Sequence, residues 1–255
     1  MSDGDSRRVL LLTGASGGLG TWICQHWSDR YDIVAVYRRR WPAVPSQGFT
    51  PVDPLQPEAP LTTREVFAVQ ADLSVAGACD KVVEAALNRF GRIDVVVNNA
   101  VSSTWAPMLG SNRLLDSAST QMVMNVVVPL RLATTVARLF WQGRDDENRA
   151  ANRNVINVSS IAGVNIYAWS GQSVYAASKA ALNHLTGHMA EEFRPVGVRV
   201  NATAANSFPS IIPTERAAAA IRRLDEGDAN GRIVIVDGEA DEEVQLDPYH
   251  KPANA

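Results

Sequence analysis

The chain has 255 residues, of which 46% are hydrophobic and 20% charged; this suits one compact domain and argues against a disordered or fibrous chain. Its 24 Lys and Arg face 27 Asp and Glu, so there is no global basic field to bind nucleic acid or an anionic membrane. Cys24 and Cys79 are the only cysteines, too few for a disulfide framework or a zinc spacing, and a reducing, cytoplasmic setting is expected.

In chain order, the polar start "MSDGDSRR" leads into "VLLLTG" (9–14), too short an apolar run for a signal-peptide core. No run approaches the roughly 18 apolar residues of a membrane span, so a soluble protein is expected. Further β-branched runs follow: "DIVAVY" (32–37), "EVFAVQAD" (65–72), "IDVVVNNA" (93–100), "NVINVSS" (154–160), "VRVNATA" (198–204) and "RIVIVDG" (232–238). Each reads as a strand buried on both faces. Helical patterns lie between them at 76–91, 118–141 and 173–193. The alternation predicts a single-domain, doubly wound α/β fold of Rossmann type, with about seven parallel strands and helices on both faces.

Residues 41–64 carry Pro42, Pro45, Pro51, Pro54, Pro57 and Pro60, so a long loop is expected in place of the second crossover helix. Residues 144–153, "RDDENRAANR", read as a solvated helix end and loop. The single domain is expected to span 1–255, with flexible tails at 1–7 and 245–255.

"TGASGGLG" (13–20) follows the first strand and opens a helix. In that setting Gly14 permits the tight turn, Gly18 a close approach of backbone to a pyrophosphate, and Gly20 close helix–strand packing. Tyr175 and Lys179 are four apart on one helical face, where an ammonium favours the phenolate and draws the tyrosine toward a working pKa. Ser160 ends the fifth strand, at the sheet end where ligands meet open α/β folds. Asn125 lies among valines, where a buried amide needs hydrogen-bond partners or marks a helix kink.

Taken together, G-x-x-x-G-x-G, "NNA" (98–100) and "YAASK" (175–179) resemble the short-chain dehydrogenase/reductase family, over about residues 8–240. The resemblance implies hydride transfer between a nicotinamide and a carbonyl or imine carbon. On this view Tyr175 moves the proton, Lys179 lowers its pKa and holds the nicotinamide ribose, Ser160 polarises the carbonyl, and Asn125 anchors a water that relays protons from Lys179. The cofactor residues it implies are Gly14, Ser16, Gly17, Gly18, Leu19 and Gly20, then Asp72 and Leu73 at the adenine, Asn98 and Ala100 at its ribose, and Tyr175 and Lys179. Asp72 also suits an N-cap for a helix beginning near Ser74. A homodimer or homotetramer packed through 118–141 and 175–192 is implied too. No metal is expected.

The sequence departs from the family where Val101 replaces a glycine after "NNA" and where Ala205 and Asn206 replace a proline–glycine pair. Asn tolerates positive φ, which would preserve the second turn. The segment 207–224 is shorter than the family's substrate lid, which suits a small, bulky or carrier-tethered carbonyl substrate. Trp105, Tyr167, Trp169 and Phe208 are expected to rim the cleft or to pack. An epimerase or lyase using bound nicotinamide, and a cofactor-binding sensor without catalysis, remain alternatives.

At the end of the second strand an acidic residue would accept the ribose hydroxyls of NAD. Tyr37 stands there, followed by Arg38, Arg39 and Arg40. Arg38 and Arg39 suit a bidentate grip on a phosphate, so NADP(H) is expected over NAD(H). Arg40 is expected to be solvated.

Overall fold

Strand β1 (Arg8–Thr13) shows why the chain layers as it does. In the computed structural model, which describes residues 7–44, 66–109, 112–168, 170–238 and 241–246, Val9 and Leu11 join one buried cluster while Leu10 and Leu12 join another. The period-2 pleat sends alternate side chains to opposite faces, and both faces are covered.

The other strands are β2 (Tyr31–Tyr37), β3 (Val66–Gln70), β4 (Val95–Asn98), β5 (Asn154–Val158), β6 (Arg199–Ala205), β7 (Arg232–Val236) and β8 (Asp241–Gln245). They form one sheet in the order β3-β2-β1-β4-β5-β6-β7-β8. Helices α2 (Ala78–Phe90), α3 (Arg113–Trp141) and α5 (Ser173–Phe193) supply the cluster on the Val9 face. Helices α1 (Gly18–Trp27) and α6 (Thr214–Glu226) supply the other. The strand order reverses between β1 and β4, which opens a crevice at the carboxyl ends of those strands.

Two expectations need correction. Among the described residues the sheet has eight strands: the seven expected are parallel, and β8 is added antiparallel to β7. "DEEVQ" carries no buried run, so its pairing comes from outside the strand: Asp241 takes Arg216 at 2.7 Å and also meets Arg223, both on α6. Its charged side chains suit an edge strand, where they discourage pairing with other chains. Strand β3, at the opposite edge, is only partly buried rather than covered on both faces.

The second correction concerns 144–153. Helix α4 (Asp145–Ala150) forms there, and Asn148 and Arg153 are buried rather than solvated. Asp94, fully buried, accepts from Arg92, Arg153 and the Val9 amide, a network that ties β1, β4 and β5 together at the sheet end opposite the crevice.

Helix α3 is a continuous 29-residue helix, long and apolar enough by composition to cross a membrane, whereas the sequence reading found no such run. It serves the core, burying Leu132, Val136 and Trp141 against α2 and the sheet. Two π-helical turns, Val123–Val127 and Ala137–Trp141, interrupt it. Pro129 cannot donate to the carbonyl of Asn125, and widening the pitch there relieves the lost bond and the ring clash. Beyond β2, Trp41–Val44 continue as a loop, with Trp41 edge-on to Tyr37 at 5.2 Å. The rest of the expected proline-rich loop lies outside the described residues.

Candidate active site

The glycine turn folds as the spacing demands. Gly14 has φ of +66°, and a Cβ there would stand 2.9 Å from the Ala100 backbone. A Cβ on Gly20 would meet the Gly14 carbonyl at 2.4 Å, so Gly20 is required by the packing of α1 on the turn itself. A Cβ on Gly18 would meet nothing within 4 Å, so this glycine faces open space at the N-terminus of α1. No side chain caps that helix end, and its amides and dipole are available to an anion.

A cleft of about 540 Å³ opens there. Gly14, Ser16, Gly17, Gly18 and Leu19 form one wall, Arg38, Arg39 and Arg40 another, and Ala71, Leu73, Asn99 and Ala100 the floor. All three arginines therefore face the cleft. Arg40 is exposed, as expected, and in addition donates to the Ser16 carbonyl at 3.4 Å, which bridges the arginine run to the glycine turn. Asp72 lies beside this wall rather than in it. It accepts from the Ser74 amide and hydroxyl at 3.1 and 2.6 Å, and those bonds, with help from Arg38 and Arg39, hold its carboxyl below the usual range. Asp72 thus caps a turn, since α2 begins only at Ala78.

Strand alternation sorts the "NNA" motif differently from the sequence reading. Asn98 points into the core and donates to Asn157 at 2.9 Å, and Asn157 in turn donates to Thr186 on α5 at 2.9 Å. Asn99 is the asparagine that lines the cleft. Its amide donates to the carbonyls of Thr13 and Gly14 at 2.9 and 3.1 Å, so it braces the glycine turn. The Thr13 hydroxyl accepts from the backbone of Asn99 and Ala100.

Ser160, Tyr175 and Lys179 come together at the carboxyl end of β5 and the first turns of α5. The Ser160 hydroxyl accepts from the Ala162 amide at 3.2 Å, and its side chain favours the ionised form of Tyr175. Lys179 is buried, donates to the Val158 carbonyl at 2.7 Å, and lies 5.9 Å from the Tyr175 ring centre. Burial lowers its ammonium to about 8. Burial raises the Tyr175 phenol, and the nearby Ser160 side chain opposes this only in part. In the protein alone, burial rather than the expected pull of Lys179 sets the direction for Tyr175.

Asn125 does not contact Lys179 through its side chain. Its Oδ1 accepts from the Ser102 amide at 2.9 Å, and its Nδ2 donates to the Ser102 carbonyl at 2.8 Å and the Ser178 hydroxyl at 2.9 Å. Ser178 donates to the Tyr175 carbonyl at 2.6 Å. One turn earlier, buried Gln121 accepts from the Thr104 amide at 3.1 Å. Two buried amides of α3 thus hold the loop after β4.

Asn206 does not need positive φ, since Asn152 is the only non-glycine described residue with it. The turn is held instead by Asn206 Nδ2 donating to Asp237 at 2.8 Å and Ser207 N donating to Asn206 Oδ1 at 2.7 Å. Phe208 lines the cofactor-sized cleft with Val101 and Met124. Trp105 and Tyr167 face a separate depression, and Trp169 lies outside the described residues. Among the described residues no group of three or more His, Cys, Asp or Glu is placed to hold a metal.

Comparison with known proteins agrees with this arrangement. The family model for short chain dehydrogenases matches residues 8–221. Protein FixR of Bradyrhizobium diazoefficiens is 31% identical over 204 residues, covering 77% of this chain and 66% of that protein. A 3-oxoacyl-[acyl-carrier-protein] reductase of Synechocystis sp. is 28% identical over 209 residues, covering 82% and 75%. Among the curated relatives the matched part spans from 54% to 78% of their length.

Solved structures share the fold. A short chain dehydrogenase from Mycobacterium avium superimposes with TM-score 0.74 at 21% identity, covering 98% of this chain and 88% of that one. The Pseudomonas aeruginosa RhlG/NADP complex gives 0.73 at 23%, covering 91% and 95%. A Leptospira borgpetersenii short chain dehydrogenase with bound NAD+ gives 0.73 at 18%, covering 91% and 92%. The chain belongs to the short-chain dehydrogenase/reductase family of oxidoreductases and has its nicotinamide-cofactor-binding fold.

Proposed function

We propose that the protein is an NADP(H)-dependent oxidoreductase acting on a carbonyl or alcohol, with Ser160, Tyr175 and Lys179 as its proton-transfer site and Asn125 as their support. The observation that carries this reading is Tyr175, one turn from buried Lys179, whose ammonium lies 5.9 Å from its ring centre, beside a cleft whose glycine turn leaves no room for side chains at Gly14 and Gly20. Those glycines and the open helix end fit a pyrophosphate. Gly14, Ser16, Gly17, Gly18 and Leu19 would hold it, Leu73, Asn99 and Ala100 would flank the adenosine, and Arg38 and Arg39 would grip a 2′-phosphate, with Arg40 fixing the glycine turn. When bound, the nicotinamide supplies or accepts the hydride.

The residues of the chain supply the rest. Tyr175, its phenol raised by burial, holds its proton at neutral pH and donates it to a substrate oxygen when the reaction runs as a reduction. Ser160 donates a hydrogen bond to the same oxygen. Lys179, anchored on Val158, holds positive charge beside the tyrosine as the phenolate forms.

Exposed Met122, Val127 and Leu130 on α3 support self-association through that helix, and a cytoplasmic setting without membrane or nucleic-acid partners is part of the same reading. Thermal shift with NADPH against NADH, followed by loss of reduced-cofactor absorbance on a ketone panel, tests the function. Tyr175→Phe should bind cofactor and lose turnover; wild-type-like activity in that variant would refute it.

A further inference from the structure

The segment that follows β4 lies outside the sheet, yet every second amide along it is held. Ala100 N donates to the Thr13 hydroxyl at 2.9 Å, Ser102 N to Asn125 Oδ1 at 2.9 Å, Thr104 N to Gln121 Oε1 at 3.1 Å and Ala106 N to the Gly171 carbonyl at 2.8 Å. Burial follows the same period. Val101, Ser103 and Trp105 are exposed, whereas Ser102 and Thr104 are half-buried and Ala106 is buried. A period of two belongs to extended chain, whose alternate residues turn to one side. Residues 100–106 thus form a strap, pegged along one side.

The ends of the strap lie on the two halves of the site. Ala100 is in the floor of the arginine-walled cleft and bonds Thr13, the residue before Gly14. Gly171 lies in the turn before α5, the helix that carries Tyr175 and Lys179. The middle pegs come from α3. Asn125 already has a place in the proposed proton-transfer site, but Gln121, one turn earlier and fully buried, has none. Among the described residues, the other side chains of its size buried as deeply are apolar, and an amide in such a place is costly unless both its ends are bonded. Both are. The Ser117 hydroxyl donates to the Leu114 carbonyl at 2.9 Å and accepts from Gln121 Nε2 at 3.1 Å, which turns Oε1 toward Thr104.

We propose that Gln121 is a positioning residue for the reaction: through Thr104 it fixes the strap, and through the strap it fixes the spacing between the glycine turn that receives the cofactor and the first turn of α5 that carries Tyr175. The inference rests on the oxidoreductase reading above and deepens it. Hydride and proton must reach the carbon and the oxygen of one carbonyl, so two separate elements have to keep one geometry, and a displacement of about 1 Å costs up to roughly 100-fold in rate. The two bonds of Gln121 go to Thr104 and Ser117, so it acts through the strap and not on the reacting atoms.

The test uses the full chain carrying Gln121→Met, which keeps the length of the side chain and removes both hydrogen bonds. NADPH affinity, read by fluorescence titration, should be unchanged. With phenanthrenequinone as the carbonyl substrate, kcat should fall at least about tenfold with KM little altered. The isotope effect with NADPH carrying deuterium as the transferred hydride should rise, because a misplaced hydride donor makes transfer the slow step. A merely structural loss lowers the folded fraction and leaves the isotope effect where it was. Amide hydrogen exchange of the cofactor-free chain reads the strap without turnover, and Gln121→Met should speed exchange over residues 100–106 and also over 171–176. Gly171→Ala places a methyl 3.1 Å from Ala106 and disturbs the strap from its other end, so it should raise the isotope effect even where Gln121→Met fails to fold. An unchanged isotope effect, or faster exchange confined to 100–106, overturns the role assigned to Gln121 and leaves the oxidoreductase reading standing. Faster exchange over both segments, in a chain whose wild-type form reduces no carbonyl, upholds the strap and overturns the oxidoreductase reading instead.

Discussion

The Nδ2 of Asn125 donates to the Oγ of Ser178 at 2.9 Å, and Ser178 bonds the Tyr175 carbonyl in turn. The same amide holds both backbone groups of Ser102, so one side chain joins the loop after β4 to the turn that carries Tyr175 and Lys179. Asn125→Ala would strand these groups in a buried site. We expect a loss of roughly 2 to 4 kcal/mol by denaturant unfolding and a fall in kcat larger than any change in cofactor affinity. A variant with wild-type stability and turnover would show that the linkage is dispensable.

The arginine wall sets the second expectation. Arg38→Asp should shift the NADPH-to-NADH preference by at least about tenfold, roughly 1.4 kcal/mol, read from the ratio of the two kcat/KM values. Arg40→Ala should weaken both cofactors together, because Arg40 bonds the glycine turn through Ser16. A change in preference without loss of overall affinity would assign Arg40 to the phosphate instead.

Glycines that look alike in sequence should behave differently. Gly20→Ala places a methyl 2.4 Å from the Gly14 carbonyl and should cost about 1 to 3 kcal/mol along with cofactor binding. Gly18→Ala meets nothing in the protein, so stability should stay within about 0.5 kcal/mol while cofactor affinity drops. Thermal melts with and without NADPH separate the two.

Tyr175 titrates above its ordinary value because it is buried, so its proton is in place throughout the neutral range. Ketone reduction, which consumes that proton, should be nearly flat between about pH 6 and 8. Alcohol oxidation needs the phenolate and should rise with pH over the same interval. A reduction rate falling steeply through neutrality would mean that another group donates the proton.

Lys179 is lowered from 10.5 to about 8 by burial. The unfolded chain then binds more protons than the folded one between those values, so this residue makes stability rise with pH across that window and its contribution is lost as pH falls toward 8. Relative to Lys179→Met, the wild-type protein should gain of order 3 kcal/mol over the interval. Parallel stability curves for the two proteins would show that the lysine is not desolvated.

The sequence alone determined whatever depends on local pattern. Apolar runs marked seven strands, and the helix expected over 173–193 forms as Ser173–Phe193, because hydrophobic period and turn residues act within a few positions of one another. Motif spacing also singled out Ser160, Tyr175, Lys179 and the glycine turn, which the fold sets at the carboxyl ends of the strands. Tertiary structure decided what depends on partners distant in the chain. Strand β8 pairs along β7 and is reached at Asp241 by Arg216 and Arg223, and Asn99 rather than Asn98 meets the cleft because of how β4 is registered between β1 and β5. Arg40 became part of the site when the end of β2 was brought against the glycine turn. Contacts of this kind join residues far apart in the chain, and no local hydrophobic period or turn signal reports them.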